Sequence, residues 1–144
     1  MAKSLVLSVS VGTGCYRHIQ IDEGETLLSL SDAILDAFGF MDDHLHSFFM
    51  NNRAWDKSAE YVCPMGERRG SQGSSDEVKL SNFRLGKGNM FLYIFDYGDE
   101  WRFQIKVLRV INERTIRYVM LKSVGHISQY GYDDDEDEDT DLDS

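Results

Sequence analysis

Helical periodicity occurs once in this chain, and period-two alternation surrounds it. Leu27, Leu30, Ile34, Leu35 and Phe38 fall at i, i+3, i+7, i+8 and i+11, with Asp32 and Asp36 on the opposite side. Thr26 is placed to cap the N-terminus and Gly39 the C-terminus. A single helix with one apolar stripe cannot form a bundle, so the stripe must be buried on a sheet.

The flanking segments supply the strands. Residues 4–11 put Leu5, Leu7, Val9 and Val11 on one side and Ser8 and Ser10 on the other, Val6 excepted. Gly12-Thr13-Gly14 turns the chain. Residues 15–21 return with Ile19 and Ile21 inward and His18 and Gln20 outward, which predicts a hairpin. Residues 44–50 read as a further strand. Residues 89–96 are apolar on both sides, as a central strand covered above and below must be. Trp101, Phe103, Ile105 and Val107 alternate with Arg102, Gln104 and Lys106. After Asn112-Glu113-Arg114, residues 115–121 form a last strand, read as closing a C-terminal hairpin. Residues 56–77 hold the only proline and three glycines, and are expected to be a long flexible polar loop. Residues 78–85 connect, with room for one short helical turn. The fold class is therefore α+β, with the hairpin, helix and strand order of a β-grasp extended by that C-terminal hairpin. The expected organisation is one domain over 1–132 followed by a tail.

The tail dominates the charge. The formal net charge is −10, and nine acids with no base lie within 133–144. A block of like charges repels itself and buries nothing, so 133–144 is expected to be disordered and solvating, with a basic partner as the sharper role. The rest of the chain is nearly neutral, which argues against nucleic acid as the main partner. With 144 residues and 42% hydrophobic side chains, a substantial core is available. No apolar run reaches the ~20 residues of a membrane span. Cys15 and Cys63 are too few for a disulfide framework or a four-thiolate zinc site, and the first residues lack a secretory pattern. A cytoplasmic protein with free thiols is the expectation.

Two stretches carry a family resemblance: 38–48, Phe-Gly-Phe-Met-Asp-Asp-His-Leu-His-Ser-Phe, and 93–101, Tyr-Ile-Phe-Asp-Tyr-Gly-Asp-Glu-Trp. With the Thr26-Leu27 helix start they resemble the plasmid pRi Orf-3-like family, whose members are described as insertion-element passenger proteins of the TnpR type. The resemblance runs over roughly 4–132. It implies an α+β domain of unassigned biochemistry, and Gly98 and Trp101 as motif residues. The family pattern tends to place histidine where Phe103 stands, phenylalanine at Tyr97 and tryptophan at Phe40.

Four residues could carry metal chemistry. On a strand, His44 and His46 would share a face, and Asp96 and Asp99 could complete a two-histidine, two-carboxylate set for a divalent ion and a hydrolase-like reaction. The alternative is structural: one histidine at a chain corner, one at the surface, and the Asp pair holding a turn beside Gly98. No phosphate loop or nucleophile elbow occurs; Gly12-Thr13-Gly14 precedes a strand, not a helix. Arg68-Arg69 is the clearest small basic patch, the candidate contact for nucleic acid. The reading that demands least is a soluble binding or regulatory module with a protein partner, using the 56–77 segment or the tail, and needing no cofactor.

Overall fold

The computed structural model describes residues 3–130; the expected acidic tail, 133–144, lies outside them. Eight strands form one sheet: β1 (Ser4–Ser10), β2 (Tyr16–Asp22), β3 (His46–Phe49), β4 (Glu60–Val62), β5 (Gly73–Ser74), β6 (Met90–Phe95), β7 (Trp101–Ile111) and β8 (Tyr118–Val124). Their spatial order is β5-β4-β3-β6-β7-β1-β2-β8. Only β4 and β5 run parallel.

The helix α1 (Leu27–Phe38) forms where its stripe and caps place it. Thr26 Oγ1 accepts from the Ser29 N–H at 3.1 Å. Gly39, at φ 73°, ends the helix in the left-handed region and donates its N–H to Asp36 and Leu35 carbonyls. Two further first-turn donors, Leu27 and Leu28, reach the carbonyls of Val78 and Ser75. The helix start is thus tied to the strap that follows β5. Thr26→Ala is expected to cost about 1 kcal/mol in urea unfolding, with Thr26→Ser close to wild type.

α1 is buried on one sheet face against Leu5, Leu7, Ile19, Ile21, Phe103 and Ile105. Burying each such side chain contributes roughly 1.5–3 kcal/mol. β6 is covered on both faces, as its composition predicts: Phe91, Tyr93 and Phe95 lie under the helix, while Leu92 and Ile94 pack with Phe49 and Ala54 on the other side. Among the described residues α1 is the only α-helix, so the β7-β1-β2-β8 half of that second face has no helix over it.

Three expectations are corrected. β7 and β8 do not form a hairpin: β7 pairs with β6 and β1, and β8 pairs with β2. The connector crosses the end of the β1–β2 hairpin because it is pinned there. Buried Ser4 donates to the Glu113 carbonyl at 2.7 Å and shares a 2.6 Å hydrogen bond with Thr115, which also accepts from Gln20. Beside β1, then, runs an antiparallel β7, so the sheet lacks the parallel central pair of a β-grasp even though the hairpin, helix and strand order is present. Finally, 56–77 is not a plain loop. It supplies a 3-10 turn (Lys57–Ala59) and the strands β4 and β5, because the β3 edge needs partners for its backbone groups: Ser47 faces Val62 and Phe49 faces Glu60. No helix among the described residues is long and apolar enough to cross a membrane.

Candidate functional site

His46 opens β3 and points under α1, where it is 2% exposed. Its Nε2 lies 2.9 Å from Ser75 Oγ and its Nδ1 3.4 Å from Ser31 Oγ. Ser31 in turn meets the Tyr93 hydroxyl at 2.5 Å. This chain of four side chains joins α1, β3, β6 and the strap after β5. Burial lowers the His46 pKa to about 4 and pushes the Tyr93 phenol well up. The imidazole is therefore neutral at ordinary pH and committed to two hydroxyls.

His44 precedes the strand and is exposed at its corner. Its Nε2 sits 3.4 Å from Asp96 Oδ2 and 3.5 Å from Asp43 Oδ1. Asp96, at φ 66°, caps the turn after β6: its Oδ1 accepts from the N–H groups of Gly98 and Asp99 at 3.1 and 3.2 Å. Asp99 thus joins this group through its backbone. The expected four-residue set is brought together only as the His44–Asp96 pair. The reason is that β3 begins at His46, so the two histidines do not share a pleated face. Among the described residues no group of three or more His, Cys, Asp or Glu is placed to hold one ion.

Beside His44 opens a cleft of roughly 580 Å³, lined by Asp42, Asp43, Leu45, Cys63 and Met65 among others. Cys63 is buried and accepts weakly from the His46 N–H at 3.5 Å. Both cysteines are free. Gly98 serves the Asp96 turn. Trp101 stacks edge-on to Phe40 at 5.2 Å, and its indole N–H is the one buried side-chain donor without an acceptor among the described residues. Phe103 is fully buried against Phe38, Phe40 and Tyr93, so the position where the family tends to carry histidine is core here. Arg68 pairs with Glu77 at 2.6 Å and Arg69 approaches Glu67 at 3.8 Å. Each base of that patch has an acid beside it.

Two surfaces escape sequence reasoning. One is the outer edge of β8, a seven-residue strand bordered by Ile116, Val119, Met120 and Leu121, which are 84%, 45%, 46% and 45% exposed. The opposite edge is β5, only two residues long. The other is a basic row on the helix-free face, where Lys106, Ser8, His18 and Lys122 align across β7-β1-β2-β8. Outward alternation hints at each residue, but the strand order is needed to see them as neighbours.

One helix on an eight-stranded, almost wholly antiparallel sheet, with its central polar groups bonded to each other, defines a small α+β sheet protein. The sequence matches the model of the plasmid pRiA4b ORF-3-like protein over residues 7–126, and the chain belongs to that family. A crystal structure of a protein of unknown function, MM3350 from Methanosarcina mazei Go1, is similar, with a TM-score of 0.67 and 25% identity over 85% of this chain and 70% of that one. No curated protein matches the sequence.

Proposed function

We propose that this protein is a binding module that takes a protein partner along the free edge of β8. The observation that carries this reading is the pair of unequal edges. A sheet normally blunts both, with short strands, charges or proline, because an open row of backbone donors and acceptors recruits other strands. Here the β5 edge is two residues long, while β8 offers seven residues with apolar side chains standing beside them. An extended segment added there would satisfy the backbone groups and cover Val119 on one face and Met120 on the other. The partner chemistry this fits is an extended strand with apolar side chains on both faces.

A metal-dependent reaction on His44, His46, Asp96 and Asp99 has less support, since His46 spends both nitrogens on serine hydroxyls and Asp96 caps its turn. Nucleic-acid binding through Arg68 and Arg69 is weakened by their acidic neighbours. The test compares the full chain with Val119→Lys/Leu121→Lys as native baits, after circular dichroism shows both folded. The edge variant is expected to lose at least ~10-fold of partner recovered, with Arg68→Ala/Arg69→Ala unchanged. Equal recovery by the edge variant would sink the proposal. So would one equivalent of zinc bound by the wild type and lost in His44→Ala, which would move the site to the cleft.

A further inference from the structure

Acids and bases are sorted unevenly over this sheet. β1, β7 and β8 contain no Asp or Glu, and β2 has only Asp22, its last residue. On the helix-free face these strands align Lys106, His18 and Lys122 in one cross-strand row, with Arg109 in the next, opposite Val6. Lys106, Arg109 and Lys122 are exposed, and among the described residues none of them makes an ion pair. The acids bordering the face sit at its ends and are engaged there. Glu100 holds Arg102, Glu113 accepts from Gln20, and Asp22 accepts from the Thr115 N–H. Like charges gathered in this way repel and call for an anion.

The shape and the rings of the face say which anion. From β7 to β8 the row covers three inter-strand steps, about 14 Å, so its bases are spread over an open sheet instead of converging on one point. That suits an extended chain of charges better than a single small ion. Among the bases stand two rings, Tyr16 and His18, with centroids 5.2 Å apart and planes at 36°. The Lys122 ammonium lies over the Tyr16 ring, 5.8 Å from its centroid. His18 is held below the usual imidazole range, by partial burial first and then by the charges of Lys122 and Arg109. At pH 7 it therefore offers a neutral ring face. Rings interleaved with bases on an open sheet match a phosphate chain with unpaired bases to stack. An acidic peptide would leave the rings unused, and a lipid surface would call for apolar groups where half-buried Ser8 and Gln20 stand.

We propose that the helix-free face of β7-β1-β2-β8 binds single-stranded nucleic acid, with Lys106, Arg109 and Lys122 on phosphates and Tyr16 and His18 against bases. This surface is separate from the β8 edge and from Arg68-Arg69, and it depends on neither.

The test is fluorescence anisotropy of a labelled single-stranded oligothymidylate of about 15 nucleotides, titrated with the full chain. The net charge of that chain is −10, so attraction of a polyanion must come from the local sorting of charge. Saturable binding is expected at about 50 mM salt, weakening about 15–20-fold by about 200 mM, as three phosphate contacts on a single strand require. Lys106→Gln/Arg109→Gln/Lys122→Gln, shown folded by circular dichroism, is expected to bind at least ~10-fold more weakly and with little salt dependence left. Tyr16→Leu is expected to lose at least ~5-fold while keeping the salt dependence, which separates stacking from charge. Arg68→Gln/Arg69→Gln is expected to match wild type. No binding by wild type, or equal binding by the triple variant, overturns the proposal. So does a duplex of the same length bound as tightly as the single strand, because stacking needs unpaired bases. Vesicles of phosphatidylserine and phosphatidylcholine bound through the same three bases, with the oligonucleotide ignored, would overturn it in favour of a membrane surface.

Discussion

Acidification from pH 7 to pH 4 is expected to remove about 3 kcal/mol of folding stability through His46 alone, some 2 kcal/mol of it by pH 5. In the native state the imidazole is buried between Ser31 and Ser75, and its pKa falls from 6.5 to about 4. The unfolded chain therefore takes up the proton first. The contribution is complete above pH 6.5, declines as pH falls toward 4, and levels off below that. The measurement is urea unfolding of wild type and His46→Gln across this range. Their stability difference should shrink by the stated amount, because the variant has nothing to protonate at this position. Two curves that stay parallel from pH 7 to pH 4 would contradict the burial argument.

Gly125→Ala is expected to cost at least about 3 kcal/mol, more than any surface substitution should. Gly125 has φ +79°, and a Cβ there would lie 2.2 Å from the Gly14 carbonyl oxygen and 2.9 Å from Cys15 Cα. Both obstacles are backbone, so the chain must shift away from the β1–β2 turn, loosening Gln129, whose amide accepts from the Met41 N–H at 2.7 Å and donates to the Met41 carbonyl. Gly14→Ala is the control. Its φ is +71°, yet nothing lies within 4 Å of its Cβ position, so only conformational strain of about 1 kcal/mol applies. Thermal unfolding and limited proteolysis after residue 125 would read both. Equal costs at the two glycines would show that close approach adds nothing.

The helix was legible to the residue, because Thr26, Gly39 and the apolar stripe are local and agree with one another. Six of the eight strands were legible from local patterning, period two in most and an apolar run in β6, while β4 and β5 lay hidden in the expected 56–77 loop because only the β3 edge calls for them. Strand neighbours were not legible. The Asn112-Glu113-Arg114 turn reads as a hairpin, and only the contacts of Ser4 with Thr115 reveal a connector that carries the chain past β1 and β2. The candidate site failed in a similar way. His-x-His predicts a shared face only if both residues are pleated, and the strand starts at His46. The partners that decide His46 chemistry, Ser31, Ser75 and Tyr93, come from three other parts of the chain and have no common motif. Asp96 and Gly98 did follow the turn chemistry that Asp beside glycine suggests.

The strand order also sets a timetable for synthesis. β1 and β2 are made first, yet their outer neighbours are β7 and β8, made last; Ser4 and Thr115 bond across 111 positions. At about 5–20 residues per second, roughly 5–20 s pass on the ribosome before the first hairpin can be enclosed. Through that interval β1 and β2 have each other but no strand along their outer edges, and long-range pairing of this kind is slow to nucleate. The nascent hairpin is therefore the stretch most in need of shielding by a chaperone, and a ribosome that stalls before Thr115 leaves it with two open edges.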